Sequence, residues 1–109
     1  MKNYELPEHH SGDTYEGVSF EMLRNESPLV VTGASISFEF REAEGSTSTV
    51  VQTLTTGAAE VTITDGAAGK FKINKQIIDW VPCHYYYDMV ITFADSTVKT
   101  YVVGRWRMM

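Results

Sequence analysis

Cysteine, proline and long apolar stretches are all scarce in this chain of 109 residues. The single cysteine, Cys83, cannot form a disulfide within the chain, so we expect no covalent cross-link and interpret its side chain as a small buried hydrophobe. No stretch approaches the roughly 20 apolar residues of a membrane-spanning helix, and residues 1–10 lack the apolar segment of a secretory signal. A membrane partner and export by the general route are therefore not expected.

Positive charge is also in short supply. Nine Lys and Arg residues stand against 14 Asp and Glu residues, which gives a net charge of -5. Lys70, Lys72 and Lys75 come nearest to a basic cluster, and we interpret them as the solvent-facing side of a strand. Because nucleic-acid binding depends on clustered Lys and Arg, a nucleic-acid partner is not expected.

The chain does contain enough apolar residues for one folded domain. They make up 43% of the sequence and charged residues 21%, a composition typical of globular proteins. Residues 1–13 are polar and show no clear period, so we expect a flexible N-terminal arm. Strand and turn patterns continue from residue 14 to residue 109, which predicts a single domain there.

Alternation with period two is the main signal in residues 14–109. It is clearest in residues 34–41, where Ile36, Phe38 and Phe40 should enter the core. The opposite face should meet water or a neighbouring subunit, and it carries Ser35, Ser37, Glu39 and Arg41. Further strands are predicted at residues 15–23, 49–55, 61–64 and 70–73. An Asp-Gly turn joins the last two of these into a hairpin.

The end of the chain is the longest β-rich stretch. Residues 84–93 and 97–106, joined by a polar turn, predict a long hairpin. One face of its first strand is purely apolar or aromatic and carries Tyr85, Tyr87, Met89 and Ile91. Such a face needs a partner sheet, which the earlier strands should supply. Tyr85 or Tyr87 also predicts a tyrosine corner, in which a buried hydroxyl ties residues 79–82 to the next strand.

Residues 74–82 interrupt the alternation. The apolar Ile77, Ile78 and Trp80, followed by Pro82, predict one short helical turn near residues 75–80. With about seven short strands separated by turns every 8–12 residues or so, the whole pattern predicts an all-β fold, an immunoglobulin-like antiparallel β-sandwich.

Catalytic and metal-binding chemistry is poorly represented. The soft metal-ligand types are His9, His10, Cys83 and His84. Adjacent ligands on an arm make poor zinc geometry, so no metal or cofactor is expected. Asp79, His84 and Asp88 are candidates for acid and base roles, yet neither a Gly-flanked serine elbow nor a metalloprotease helix accompanies them. We expect a protein that is not an enzyme.

Aromatic residues are the best candidates for a contact surface. Successive strand residues face opposite sides, so about half of the aromatic side chains should point away from the core. We expect Tyr86, Tyr101 and Trp106 to contribute to a protein or glycan contact surface. The alternative for Tyr86 and Tyr101 is an aromatic pair across the hairpin, and for residues 105–109 a simple tail.

Several stretches together resemble a family of small immunoglobulin-like domains in bacteriophage and prophage tails, similar to the N-terminal domain of upper baseplate proteins. The resemblance is carried by Gly12-Asp13-Thr14-Tyr15, Val31-Thr32-Gly33-Ala34-Ser35-Ile36, Ala68-Gly69-Lys70-Phe71, Tyr85-x-Tyr87-Asp88-Met89 and Val98-x-Thr100-x-Val102-x-Gly104. One departure is the last turn, Ala94-Asp95-Ser96, where a glycine is expected.

The resemblance implies a non-enzymatic structural protein of a phage tail or baseplate, located in the virion. Its partners would be other phage structural proteins and further copies of the chain, contacted by the arm or by an edge strand. The alternative is an immunoglobulin-like binding module that recognises a surface glycan or protein through exposed aromatic side chains.

Overall fold

The computed structural model describes residues 2–42 and 50–109, and these are almost entirely β-structure. The strands are β1 Lys2–Asn3, β2 Leu6–His9, β3 Thr14–Tyr15, β4 Val18–Glu21, β5 Leu23–Arg24, β6 Ser27–Pro28, β7 Ser35–Arg41, β8 Gln52–Thr55, β9 Val61–Asp65, β10 Lys70–Ile73, β11 Gln76–Ile77, β12 His84–Thr92 and β13 Val98–Met108. A 3₁₀ turn at Gly66–Ala68 is the one helical element within this part of the chain.

The larger sheet is organised around the C-terminal hairpin, as the alternation predicts. Its strand order is β1-β13-β12-β7-β8, and β2 also pairs with β13. β12 lies at the centre, antiparallel to both β13 and β7, with Tyr87 opposite Phe40 on one side and Gly104 on the other. The residues that share one face of β12 are all buried, namely Tyr85, Tyr87, Met89 and Ile91.

The smaller sheet has the order β4-β10-β9 and is antiparallel. β9 and β10 form the predicted hairpin. Asp65 begins the turn, and its side chain accepts a hydrogen bond of 3.3 Å from the amide of Ala68. Two short pairs complete the structure, β3 with β11 and β5 with β6.

The core lies between these two sheets. Phe20 of β4 stacks on Phe71 of β10 with ring centroids 5.3 Å apart and meets Phe38 of β7 at 5.5 Å. Ile36, Phe38 and Phe40 are fully buried, as predicted from their spacing. The apolar faces of the sheets therefore cover each other, which confirms the prediction of an all-β fold.

The helical turn predicted near residues 75–80 is wrong. Gln76–Ile77 is instead a short strand paired with Thr14–Tyr15, and the helical turn occurs ten residues earlier, at Gly66–Ala68. The physical reason is that residues 12 and 13 offer backbone partners across the chain. Gly12 donates to the carbonyl of Ile78 at 2.8 Å, and Ile78 donates to that of Asp13 at 3.3 Å. These bonds satisfy groups that a local turn would have used.

The predicted tyrosine corner matches Tyr85. Its hydroxyl donates a hydrogen bond of 2.7 Å to the carbonyl of Val81, four residues earlier in the corner. Tyr87 is equally buried, but its hydroxyl donates to the carbonyl of Tyr4 at 2.5 Å. The two candidates therefore have different tasks, since Tyr85 fixes the corner and Tyr87 holds the N-terminal segment.

Candidate interaction site

The N-terminal segment lies along the free edge of β13. β1 and β2 run parallel to it, with Lys2 opposite Val102 and Leu6 opposite Trp106. The amide of Tyr4 donates to the carbonyl of Val103 at 2.9 Å. Residues 1–13 are predicted to be a flexible arm, and the structure places residues 2–9 as an added edge of the chain's own sheet. We call residues 2–9 the arm strand.

The sheet is shaped to receive this arm strand. A Cβ atom at Gly104 would overlap the carbonyl oxygen of Tyr4, so only glycine lets the two backbones approach this closely. That same carbonyl accepts the hydrogen bond from Tyr87, and the indole of Trp106 donates to the carbonyl of Pro7 at 2.7 Å. Buried side chains thus bind the arm strand through its backbone, including Pro7, which has no N–H of its own.

Two ion pairs on the surface also join the arm strand to β13. Glu5 pairs with Arg105, and Glu8 lies 3.8 Å from Arg107. All four side chains are more than half exposed. Pairs of this kind contribute little to stability, so the arm strand is held mainly by its backbone bonds and by packing.

The other end of β13 is open. Its register against β12 jumps between Met89–Val102 and Val90–Thr100, which leaves Tyr101 as the extra residue of a β-bulge. No strand in the described part of the chain pairs with residues 98–101 on the side away from β12. Lys99 is paired with the buried Ile91 and so lies on the same face of the sheet, but at this end of the strand its side chain is exposed. A bulge and a lysine on an edge strand both discourage another strand from adding here.

An open cleft of about 610 Å³ lies between this end of β13 and the β5–β6 hairpin. It is lined by Arg24, Asn25, Ser27, Pro28, Leu29, Val30, Phe93, Asp95, Thr97, Lys99 and Tyr101. Tyr101 packs edge-on against Phe93 with ring centroids 6.2 Å apart. The hairpin turns at Asn25 and Glu26, which both have positive φ, the geometry of a tight two-residue turn. We call this space the β13 cleft.

The charges of the β13 cleft are not balanced by ion pairs. Within residues 2–42 and 50–109, neither Arg24 nor Lys99 pairs with a carboxylate. The carboxylate of Asp95 accepts a hydrogen bond of 2.9 Å from the amide of Thr97. Hydrogen bonding with Thr97 lowers the pKa of Asp95, so the carboxylate stays ionised. It stabilises the turn in which it lies and forms no ion pair with Arg24 or Lys99 among the described residues.

The three residues predicted to form a contact surface lie in different places. Tyr101 lines the β13 cleft. Tyr86 is half-buried on β12, in register with Arg41 and Arg105. Arg105 is four residues from Tyr101 along β13, a separation of roughly 13 Å at the usual rise of a strand. The structure therefore does not bring the two tyrosines into one patch.

Trp106 is not at the surface. It is fully buried, and its ring lies 5.0 Å from that of Tyr15 and 5.5 Å from that of Trp80. The reason is register, since Trp106 is paired with Tyr85 and shares its core-facing side. The prediction that Trp106 joins an exposed contact surface is therefore corrected.

Arg41, expected to face water or a neighbouring subunit, is also buried, with 7% of its surface exposed. Its guanidinium donates to Asp88 at 3.1 Å and to Glu39 at 3.3 Å. Charge pairing of this kind offsets the cost of burying a cation. Asp88, a candidate for acid or base chemistry, therefore has a structural partner.

The candidate metal ligands are similarly dispersed. The ring of His9 packs against Tyr15, and its Nε2 lies 3.1 Å from the carbonyl of Asp13. Cys83 is half-buried, while His84 is exposed. Within the residues that the structure describes, no three His, Cys, Asp or Glu side chains are grouped as metal ligands. The same residues contain no helix long and apolar enough to span a membrane.

Comparison of the chain with protein-family models, with curated proteins and with solved structures found no match. The two ends of β13, which bear the arm strand and the β13 cleft, are the features of the described structure that point to a function.

Proposed function

We propose that this chain is a non-enzymatic structural protein of a phage or prophage tail or baseplate, with an immunoglobulin-like β-sandwich fold. It assembles in the virion through contacts with other phage structural proteins and with copies of itself. Support comes from the resemblance of its strand and turn residues to such domains, and from a fold whose two apolar sheet faces meet with a tyrosine corner at Tyr85.

The observation that carries the proposal is the arm strand bound at the edge of β13. Backbone hydrogen bonds, the Gly104 contact and the Trp106–Pro7 bond do not depend on which copy supplies the arm strand. An element that completes an edge within one chain can complete the same edge of a neighbouring copy. Exchange of the arm strand between copies would join them through contacts that each chain already makes within itself.

The test is affinity capture of the tagged protein from the source cells after prophage induction, with mass spectrometry of the proteins that co-purify. Tail or baseplate proteins in a fixed ratio are the expected result. If only host surface components are recovered, the assignment to the virion is contradicted.

The role of the arm strand has its own test. Deletion of residues 1–11 should abolish co-purification, whereas unchanged assembly would contradict this part of the proposal. Because the deletion also uncovers Trp106, Gly104→Ala serves as a second variant that displaces the arm strand without removing it. Circular dichroism shows whether each variant keeps its β-structure.

A second candidate is a module that binds a surface glycan or protein, and the aromatic wall of the β13 cleft favours it. Binding on a glycan array that Tyr101→Ala abolishes would support this function. Tyr86→Ala tests the other predicted contact residue, which lies away from the cleft. Binding that neither substitution changes would contradict both positions.

A further inference from the structure

The β13 cleft is distinguished by unpaired positive charge on an acidic protein. Five of the Lys and Arg side chains form ion pairs within the described residues: Arg41, Lys70, Lys75, Arg105 and Arg107. Three others in this part of the chain form none, namely Arg24, Lys72 and Lys99. Two of these three line the same cleft. Asp95 also lines the cleft, so its lining carries two cations and one carboxylate, a net positive charge on a chain whose total is -5.

Apolar surface surrounds these two cations. Val30 is 56% exposed at the cleft, and Leu23 of the adjoining hairpin is exposed to the same degree. Phe93 and Tyr101 are only half-buried and form an aromatic wall. Aliphatic and aromatic surface beside a cation suits a ligand that combines an apolar group with an anion.

The route by which a ligand binds is also restricted. The bulge at Tyr101 and the charge of Lys99 on this edge discourage the addition of a strand to residues 98–101. A ligand must therefore enter the cleft with its side chains, between the sheet and the β5–β6 hairpin.

We infer that the β13 cleft binds an acidic loop or chain terminus of a partner protein. A carboxylate of the partner contacts Arg24 and Lys99, and a neighbouring apolar side chain packs on Val30, Phe93 and Tyr101. A peptide is favoured over an acidic glycan because the exposed Pro28 and Val30 give the cleft an aliphatic wall and the Tyr101 ring is partly covered by Phe93. This inference rests on the proposed function, since it gives the chemistry of one partner in the assembly.

The test uses an mRNA-displayed library of random twelve-residue peptides selected on the purified full-length protein. We expect enriched sequences to pair Asp or Glu with an apolar residue. The best peptide is then titrated against the ¹⁵N-labelled protein, and its binding should shift the amide resonances of residues 24–30 and 93–101. The double substitution Arg24→Glu with Lys99→Glu should weaken binding at least tenfold at low salt.

Lys72→Glu is the matched control, because Lys72 is exposed and unpaired in the described part of the chain but lies on β10, outside the cleft. It makes the same change of charge per residue and should alter the affinity less than twofold. If both variants weakened peptide binding equally, the loss would come from the change in net charge and not from the cleft, and the inference would be overturned. Enriched peptides without acidic residues, or resonance shifts confined to other residues, would also overturn it.

Other occupants give different results. Self-association in analytical ultracentrifugation that the double substitution abolishes would assign the cleft to a second copy. Binding of acidic glycans without any peptide enrichment would assign it to carbohydrate. Because the selection uses only purified protein, its failure leaves the capture experiment in phage-producing cells unaffected, and the two proposals fail separately.

Discussion

β13 is closed along one half of its length and open along the other. Residues 102–108 are covered by the arm strand and contribute the buried Val102, Trp106 and Met108 to the core. Residues 98–101 have no added strand among the described residues, and they border a cleft with unpaired cations. One strand therefore contains a region specialised for packing and a region left for contact with other molecules.

The bulge at Tyr101 separates the two halves. It adds one residue to β13, so the pairing register with β12 shifts by one residue between Val102 and Thr100. Pairing with β1 begins at Val102, directly after the bulge. A single inserted residue thus ends the closed edge and places an aromatic side chain at the cleft.

The largest difference between the halves should appear on removing a side chain from each. Trp106→Ala should lower the free energy of unfolding by about 3–5 kcal/mol, because a large buried ring is lost and a cavity remains. Val98→Ala, at a position 60% exposed, should change it by no more than about 0.5 kcal/mol. Denaturation in urea measures both. Similar losses at the two positions would refute the division of β13.

Alkali should produce the next largest effect, through three buried tyrosines of β3 and β12 that lie against the closed half of β13. Burial raises the pKa of Tyr15, Tyr85 and Tyr87, that of Tyr15 to about 12 with a smaller contribution from Tyr4. A tyrosine in the unfolded chain ionises near pH 10. The stability due to these neutral phenols is thus complete below about pH 10 and declines as the pH rises toward the folded-state values.

Urea denaturation between pH 9 and 12 should therefore show a falling midpoint. Ultraviolet absorbance of tyrosinate should show that these three tyrosines ionise together with unfolding. Ionisation of every tyrosine near pH 10 in a protein that stays folded would contradict the expectation.

The close contact of the arm strand is tested at Gly104. Gly104→Ala forces a methyl group against the carbonyl of Tyr4, so we expect a loss of about 1–3 kcal/mol and faster hydrogen exchange at the Tyr4 amide. Gly57→Ala is the control, since the nearest atom to its added methyl is 4.0 Å away in the Thr55 side chain. It should be neutral or stabilise slightly. Unchanged exchange in Gly104→Ala would show that the arm strand is not held there.

Much of the core could be predicted from sequence because its signal is local. Alternation identifies Ile36, Phe38 and Phe40 as an inward face, and the same rule finds the buried face of β12. Gly104, which follows Val102 and Val103 in a predicted strand, also indicates a close backbone approach, although the sequence does not show that Tyr4 is its partner.

The features that the sequence did not predict depend on contacts between residues distant in sequence. The pairing of Gln76–Ile77 with residues 14–15 replaced the predicted helical turn, and the arm strand needs an edge about 100 residues later. Trp106 alternates in phase with the buried Val102 and Met108, but its pairing with Tyr85, which turns this face toward the core, follows a bulge that the sequence does not reveal. The β13 cleft combines Arg24 with Lys99, whose proximity only the fold supplies.

Removing single hydroxyls should distinguish the bonds that hold each element. Tyr85→Phe and Tyr87→Phe should each cost about 1 kcal/mol, since each leaves a backbone carbonyl without its donor. Tyr15→Phe is the matched control, because its buried hydroxyl has no hydrogen-bond partner in the described structure, and it should be neutral or stabilising. No loss in either of the first two variants would remove the tyrosine corner and the Tyr87–Tyr4 bond from the explanation.

The smallest effect should come from the charges along the arm strand. Glu5→Gln with Glu8→Gln breaks the exposed pairs to Arg105 and Arg107, and such pairs are each worth about 0.2–1 kcal/mol. We expect hydrogen exchange at the Tyr4 amide to change little and to depend weakly on salt. If the double variant instead releases the arm strand, charge would be what closes this half of β13. The two halves would then differ in the partners of their cations. Arg105 and Arg107 pair with Glu5 and Glu8 of the same chain, whereas Lys99 in the cleft would pair with a carboxylate of another protein.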